Sequence, residues 1–332
     1  MSLDAMVGFS VNLEQIIRVQ ENWESRKPLA ESHPLNASGT SFNVALAMAR
    51  AGLEVKLLGT VGENDPLAGT LEHLISKTGL DPMFFPIRES TPITYSLIIP
   101  EDQAGDTELR QKLLRCKPKF RNHGAVEQAQ EQIRKQLELC EPHYVVATGV
   151  SHTDLPLVHS MFHLPSDRGP IYRVFAPSME LIIKERGLIS DPKWEFECLA
   201  LNNYEAAALL NLGSPDDLDK SFVRCRLLAY APEVVLTCNS HGAYYMRQDR
   251  GPETEISSQH QPSYKAEVVD ETGAGDCFLA YFLACKMSNG DIKHCLEWAA
   301  AAAALKVTRL GGSNMPTREE VNNFLAAHRV TA

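Results

Sequence analysis

The heptapeptide Asp270-Glu271-Thr272-Gly273-Ala274-Gly275-Asp276 places two glycines and a free carboxylate directly before the small, apolar run Cys277-Phe278-Leu279-Ala280-Tyr281. Such a layout is a loop entering a helix. The first N–H groups of a helix lack intrahelical acceptors and carry partial positive charge, so a helix start of this kind attracts anions. A carboxylate beside it could take the proton of a hydroxyl as that hydroxyl attacks a phosphate. The same residues also make an ordinary N-capping turn. The heptapeptide by itself leaves both readings open.

Three other segments have the same ambiguity. Ser38-Gly39-Thr40-Ser41-Phe42-Asn43 is a second glycine-containing turn before an amphipathic stretch, and its hydroxyls and amide suit hydrogen bonding to a polyol. Ser38 or Thr40 could equally be a plain N-cap. Gly62-Glu63-Asn64-Asp65-Pro66-Leu67-Ala68-Gly69 reads as a helix start capped by Asp65 and opened by Pro66. Asn202-Asn203-Tyr204-Glu205 follows an apolar run, where ligand groups gather at the carboxyl ends of parallel strands. Asn202 and Glu205 could hold a hydrated Mg²⁺, which accepts few protein ligands and several waters, or they could form a capping box.

The elements that must position these groups alternate along the chain. Residues 55–59, 144–148, 173–176, 198–201 and 234–237 read as short buried strands. Residues 41–51 and 66–78 read as helices closed by Gly52 and Gly79, and residues 279–287 and 292–307 as a C-terminal helical pair. This alternation predicts an α/β fold of βαβ units around a largely parallel sheet. Residues 11–19 and 91–99 break the rhythm and predict a small sheet standing off the main domain, able to close over a substrate as a lid. The six alanines 299–304 reflect helix propensity and would also leave a flat surface for a planar group.

The chain has 332 residues, 44% of them hydrophobic, enough for one large α/β domain with an insertion or for two modest domains. No apolar run approaches a membrane span, and Met1–Met6 lacks the layout of a secretory signal. The net charge of −10 argues against nucleic acid as a partner. A basic stretch, Arg110, Lys112, Arg115, Lys117, Lys119 and Arg121, is the local exception and reads mainly as solvated surface. Eight cysteines form no CxxC pair and several lie in apolar segments, which predicts a reducing, cytoplasmic setting. His159 and His163 have helical i, i+4 spacing beside His152, but no glutamate lies between them as a zinc-protease motif requires.

Taken in order, SGTSFN, ARAG, GENDPLAG, NNYE, TCNSHGA and DETGAGD resemble the ribokinase-like (PfkB) family of carbohydrate and nucleoside kinases. DETGAGDCFLA is the specific part, and the tail through Thr308-Arg309-Leu310-Gly311-Gly312-Ser313 is similar to that family's adenine-side element. The resemblance implies a doubly wound, mostly parallel sheet with helices on both faces. It implies a core of residues 1–11, 37–90 and 118–332 and a β lid of residues 12–36 and 91–117. It implies Asp276 as the base and the N–H groups of Gly273, Ala274 and Gly275 as the anion hole. Asn12, Glu14, Gly39, Thr40, Asn43 and Tyr95 would line the sugar pocket. Asn202, Glu205, Thr237, Gly242, Ala302, Gly311 and Gly312 would serve the nucleotide, with Glu205 holding Mg²⁺ through water. ATP and Mg²⁺ are the expected cofactors, and a monovalent cation such as K⁺ is placed near residues 270–272.

Four positions depart from the family pattern. Asn12-Leu13-Glu14 carries Glu where Asp is usual, Asn239 replaces a glycine, the sugar turn has one glycine where two are usual, and Ala176-Pro177-Ser178-Met179-Glu180 lacks the arginine of acid-sugar kinases. Thr40 stands where phosphosugar members carry Lys. These substitutions predict a small neutral sugar as acceptor, unless the basic stretch 110–121 folds inward. A nucleoside acceptor, or a sensor that binds without turnover, is the alternative. An exposed lid edge would allow a homodimer.

Overall fold

The computed structural model describes residues 3–21, 29–98, 111–121, 123–163, 171–191, 194–248 and 255–330. Among them, fourteen strands form two sheets. The strands of the main sheet are β1 (Ala5–Phe9), β5 (Val55–Gly62), β6 (Asp81–Arg88), β9 (Tyr144–Val150), β10 (Tyr172–Pro177), β11 (Cys198–Asn202), β12 (Glu233–Thr237), β13 (Ala243–Gln248) and β14 (Ile256–Gln261). Their order is β14-β13-β12-β11-β10-β9-β1-β5-β6. The pairs from β6 through β12 are parallel, and β12, β13 and β14 close one edge as antiparallel neighbours.

Both faces of this sheet are buried, which explains the near-continuous apolar strands. Alternate residues feed two cores. Val7, Val146, Val174, Ala200 and Val235 pack on the face covered by the helices Thr40–Arg50, Ala274–Met287 and Ile292–Val307. Met6, Val145, Phe175, Leu199 and Val234 pack on the other, under His123–Cys140, Leu155–Phe162, Met179–Ile189 and Asn203–Leu210. The helix Ala274–Met287 is buried along the whole run from Cys277 to Cys285. A helix apolar on all sides is one held inside the fold, so its first turn is fixed in place.

The six alanines do not form a surface. Ala299, Ala300, Ala301, Ala302 and Ala304 are buried against the Ala274–Met287 helix. Their small side chains let two helices approach closely.

The second sheet is β3 (Leu29–Ser32), β2 (Asn12–Glu21), β7 (Ile93–Ile98) and β8 (Gln111–Cys116), with β4 (Asn36–Ser38) also pairing β2. The predicted small-sheet segments extend into residues 22–28 and 99–110, which lie outside the described residues. No helix among the described residues is long and apolar enough to cross a membrane.

Candidate active site

Strand order reverses at β1, whose two neighbours are β5 and β9. A crevice opens at such a point beyond the carboxyl ends of the strands. Here it is a cleft of about 580 Å³, walled by the strand ends on one side and by the second sheet on the other.

One wall begins where β1 stops. The Ser10 N–H donates to Ser41 Oγ (2.9 Å), and the Ser41 N–H donates back to the Ser10 carbonyl (3.0 Å). Ser41 Oγ–H also donates to the Thr148 carbonyl on β9 (3.1 Å). Gly39 is the cap of the Thr40–Arg50 helix at φ 112° and accepts no substitute, because a Cβ there would overlap the Ser10 carbonyl oxygen. This turn turns Thr40 and Asn43 into the cleft.

Asn12 ties β2 to β7 within the second sheet, its Nδ2 donating to the Leu13 carbonyl (2.9 Å) and to Thr94 Oγ1 (3.1 Å). Glu14 accepts from the Ser96 hydroxyl (2.5 Å) and also lines the cleft. Because Thr94 and Ser96 face Asn12 and Glu14, the strand period of two carries Tyr95 to the opposite face. Tyr95 is therefore not brought into the site, and Thr94 stands there in its place.

The floor is the helix start at residue 274. Asn43 Nδ2 donates to Asp276 Oδ2 at 2.8 Å, while Asn43 Oδ1 is buried without a hydrogen-bond partner. Burial pushes the Asp276 carboxyl up to about 6, against the opposing pull of the Asn43 amide and the Lys306 and Arg115 charges. The anion hole differs from expectation at one residue. The Ala274 N–H closes the turn by donating to the Glu271 carbonyl (3.1 Å), so it is spent. The N–H groups of Gly273, Gly275 and Asp276 have no acceptor among the described residues.

Asn202 and Glu205 form the capping box in full. Asn202 Oδ1 accepts the Glu205 N–H and Glu205 Oε2 accepts the Asn202 N–H, both at 2.9 Å. Both residues still face the cleft, with Thr237 beside them. Burial pushes the Glu205 carboxyl up to about 7, and the nearby Asp276 charge adds to the rise.

The remaining nucleotide-side residues lie elsewhere. Gly242 sits in the turn before β13, where a Cβ would strike Gln261, and Ala302 is in the core. The Gly311 N–H donates to Asp270 Oδ2 (2.8 Å), and the Gly312 carbonyl oxygen lies 2.5 Å from where a Cβ on Gly273 would be. These two glycines hold the 270–273 turn and do not wall the cleft. Asn239 adopts φ 48°, so it keeps the left-handed backbone that a glycine would supply. Asp65 is a cap, accepting the Leu67 N–H (3.0 Å) and the Thr91 N–H (2.6 Å).

The basic stretch folds inward in part. Arg115 and Lys117 line the cleft, whereas Arg121 pairs with Glu63 outside it. Arg110 and the side chain of Lys112 lie outside the described residues. Lys117 Nζ donates to Ser151 Oγ (2.8 Å) and to Asp154. Asp154, fully buried, also receives Arg88 at 2.8 Å. Sequence reasoning missed Ser10, Thr94, Gly149 and Ser151. For the last two, the signal was available: Thr148-Gly149-Val150-Ser151 ends a buried strand on a glycine, which sits at φ 60° against Thr40. His159 and His163 stack at 3.8 Å away from the cleft.

Comparison with known proteins gives a consistent picture. The family model described as "pfkB family carbohydrate kinase" matches residues 10–318. An ATP-dependent ribose-1-phosphate kinase of Halopiger xanaduensis is 38% identical over 73 residues, covering 22% of this chain and 25% of that protein. The bifunctional protein HldE of Coxiella burnetii is 25% identical over 307 residues, covering 89% of this chain and 56% of HldE. The chain thus spans a quarter to about half the length of these relatives. An E. coli protein described as ribokinase II, solved with ATP and Mg²⁺, superposes with a TM-score of 0.71 at 19% identity, covering 99% of this chain and 100% of that one.

Proposed function

The chain belongs to the pfkB family of carbohydrate kinases, and from that premise we propose that it transfers the γ-phosphate of ATP to a hydroxyl of a small sugar, with Asp276 as the base. One observation carries the proposal: a carboxylate oriented by Asn43 stands in a cleft beside the unpaired N–H groups of Gly273 and Gly275. A proton acceptor and an anion hole within one helical turn are what phosphoryl transfer to an alcohol requires.

Asp276 Oδ takes the hydroxyl proton as the sugar oxygen bonds to the γ-phosphorus. The bond from that phosphorus to the β,γ-bridging oxygen breaks, and ADP leaves with the electron pair. Asn43 orients the carboxylate. The N–H groups of Gly273 and Gly275 hold charge on the moving phosphoryl group. Asn12, Glu14 and Thr40 complete the sugar side, and Asn202, Glu205 and Thr237 the nucleotide side.

The residues fit Mg²⁺. One Glu205 oxygen is engaged by the backbone and the other is left over, on a carboxyl that burial holds protonated up to about pH 7 and that a cation would ionise. Glu205 would hold Mg²⁺, which when bound would supply neutralisation of the nucleotide phosphates. The E. coli neighbour's ATP and Mg²⁺ support this choice of donor.

The residues do not fit a monovalent cation at 270–272. Both Asp270 oxygens already accept N–H groups, from Thr272 (2.9 Å) and Gly311 (2.8 Å). Behind them the Lys306 amine is fully buried, and burial lowers its pKa against the opposing pull of the Asp270 and Asp276 carboxylates. A basic nitrogen of the chain's own is thus built in beside these carboxylates.

The test is ADP formation from ATP with a panel of sugars, sugar phosphates and nucleosides, each product identified by ³¹P NMR. Transfer to a sugar or its phosphate supports the reading. Transfer to nucleosides alone, or no acceptor-dependent ADP at all, refutes it.

A further inference from the structure

Arg115 and Lys117 sit at the end of β8 and both line the cleft. Their states differ. Lys117 is tied to Ser151 and Asp154, and Asp154 is shared with the fully buried Arg88, so one carboxylate answers two cations. That cluster carries one surplus positive charge, and Lys117 is the member that reaches the cleft. Arg115 has no hydrogen bond or ion pair with any described residue and is exposed, yet its charge reaches the Asp276 and Glu205 carboxyls.

The carboxyls that line the cleft are engaged elsewhere: Glu14 accepts from Ser96, Glu180 from Lys184, Glu205 from the Asn202 N–H and Asp276 from Asn43. None of them forms an ion pair with Arg115 or Lys117 among the described residues, so in a protein of net charge −10 these two cations leave a place for an anion. Sheet order says which substrate brings it. Asn202 and Thr237, on the nucleotide side, end β11 and β12, whereas Ser151 and Asp154 follow β9, next to β1 and the Ser10–Asn12 wall. An anion on Lys117, which Ser151 holds in place, therefore lies on the acceptor side, two strands or more from the nucleotide strands.

We propose that the acceptor is a sugar carrying a phosphate monoester, held by Arg115 and Lys117 while one of its hydroxyls faces Asp276. The inference deepens the kinase reading and rests on it for the turnover arm of its test. A dianionic ester takes several charge-assisted hydrogen bonds at once, with the guanidinium able to grip two of its oxygens. The expectation of a neutral acceptor, drawn from Thr40 and from the missing arginine in Ala176–Glu180, carried the condition that the basic stretch stay outside, and Arg115 and Lys117 instead line the cleft.

Two measurements decide it. The first compares kcat/KM for ribose, fructose, ribose 1-phosphate, ribose 5-phosphate, fructose 6-phosphate and gluconate, using wild type and Arg115→Gln. The best phosphate ester is expected to exceed its parent sugar by about 100-fold, and Arg115→Gln to raise KM for that ester about 10- to 100-fold with KM for ATP unchanged. Equal or better turnover of a free sugar overturns the proposal, as does a preference for gluconate. A loss of kcat with acceptor KM unchanged overturns it too, because it would place Arg115 on the transferring phosphoryl group. The second measurement is calorimetric titration of the same compounds. If none is turned over, the kinase reading fails by itself, and the titration still decides the anion site. Phosphate esters binding wild type, but at least 10-fold more weakly to Arg115→Gln and Lys117→Gln, supports it; equal affinity in all three refutes it.

Discussion

Asn43 and Asp276 stand 233 residues apart and meet through one 2.8 Å hydrogen bond from amide to carboxylate. That bond favours the charged form of a carboxyl that burial, even against this pull, raises to about 6. In Asn43→Ala the opposing pull is gone, so the carboxyl should titrate higher and the acid limb of kcat/KM should move to higher pH. Loss of orientation should cost about 100-fold in kcat/KM at the optimum. A pH profile superposable on wild type would remove Asn43 from the mechanism.

Asp276→Asn should lower turnover on the order of 10²- to 10⁴-fold while ATP binding, read by calorimetry, stays within a few-fold. Stability should move the other way. The folded-state value of about 6 lies above the ordinary 3.8, so between these values the folded protein binds more protons than the unfolded chain. Stability therefore falls as pH rises through that window, and the carboxylate costs the fold up to about 3 kcal/mol above it. The asparagine variant should melt higher than wild type at pH 8, with the difference closing near pH 4. A lower melting temperature at pH 8 would contradict the assignment.

Asp154→Asn should be among the most damaging single changes away from the cleft floor. It leaves Arg88, which is fully buried, without its counter-charge, at a cost of about 3–5 kcal/mol in urea denaturation. Lys117→Gln should cost far less, because the Arg88–Asp154 pair survives. The Asp154 carboxyl is held below its ordinary value by Lys117 and Arg88, against its burial. Its contribution is thus present above pH 4 and lost as pH falls below the depressed value. Equal losses from the two substitutions would mean that Asp154 serves Lys117 alone.

Exchange of K⁺ for Na⁺ at constant ionic strength should leave kcat unchanged within about two-fold, because the basic nitrogen of Lys306 is already built in behind Asp270. Lys306→Met should lower kcat and make it respond to K⁺. A strong K⁺ requirement in the unmodified protein would refute the assignment of that role to Lys306.

The buried strands were legible because their residues feed two cores. Residues 144–148, 198–201 and 234–237 all fall within observed strands, and 292–307 is a helix to the residue. The helix read from residue 279 begins at Ala274, because glycines hide a helix start whose tertiary packing overrides their propensity. What the sequence could not show is where turns point. Tyr95 and Thr94 are adjacent and chemically equivalent as sugar contacts until strand register assigns them opposite faces. Arg115 and Arg121 belong to one basic run, and only the ends of β8 and Glu63 separate a cleft residue from a surface pair. Ala302 looked like a platform because composition does not reveal the helix that covers it.

The helix start at residue 274 is tied on one side to Asn43 and on the other to the glycines at 311 and 312. During synthesis the two partners of the first tie leave the ribosome roughly 10–50 s apart at ordinary elongation rates. A nascent chain thus holds its sugar-side groups long before it has a base, and its helix start is clamped only once the last turn of glycines has emerged. On the proposed assignment of Asp276 as base, a growing chain has no proton acceptor to set against its sugar-side groups until residue 276 has emerged.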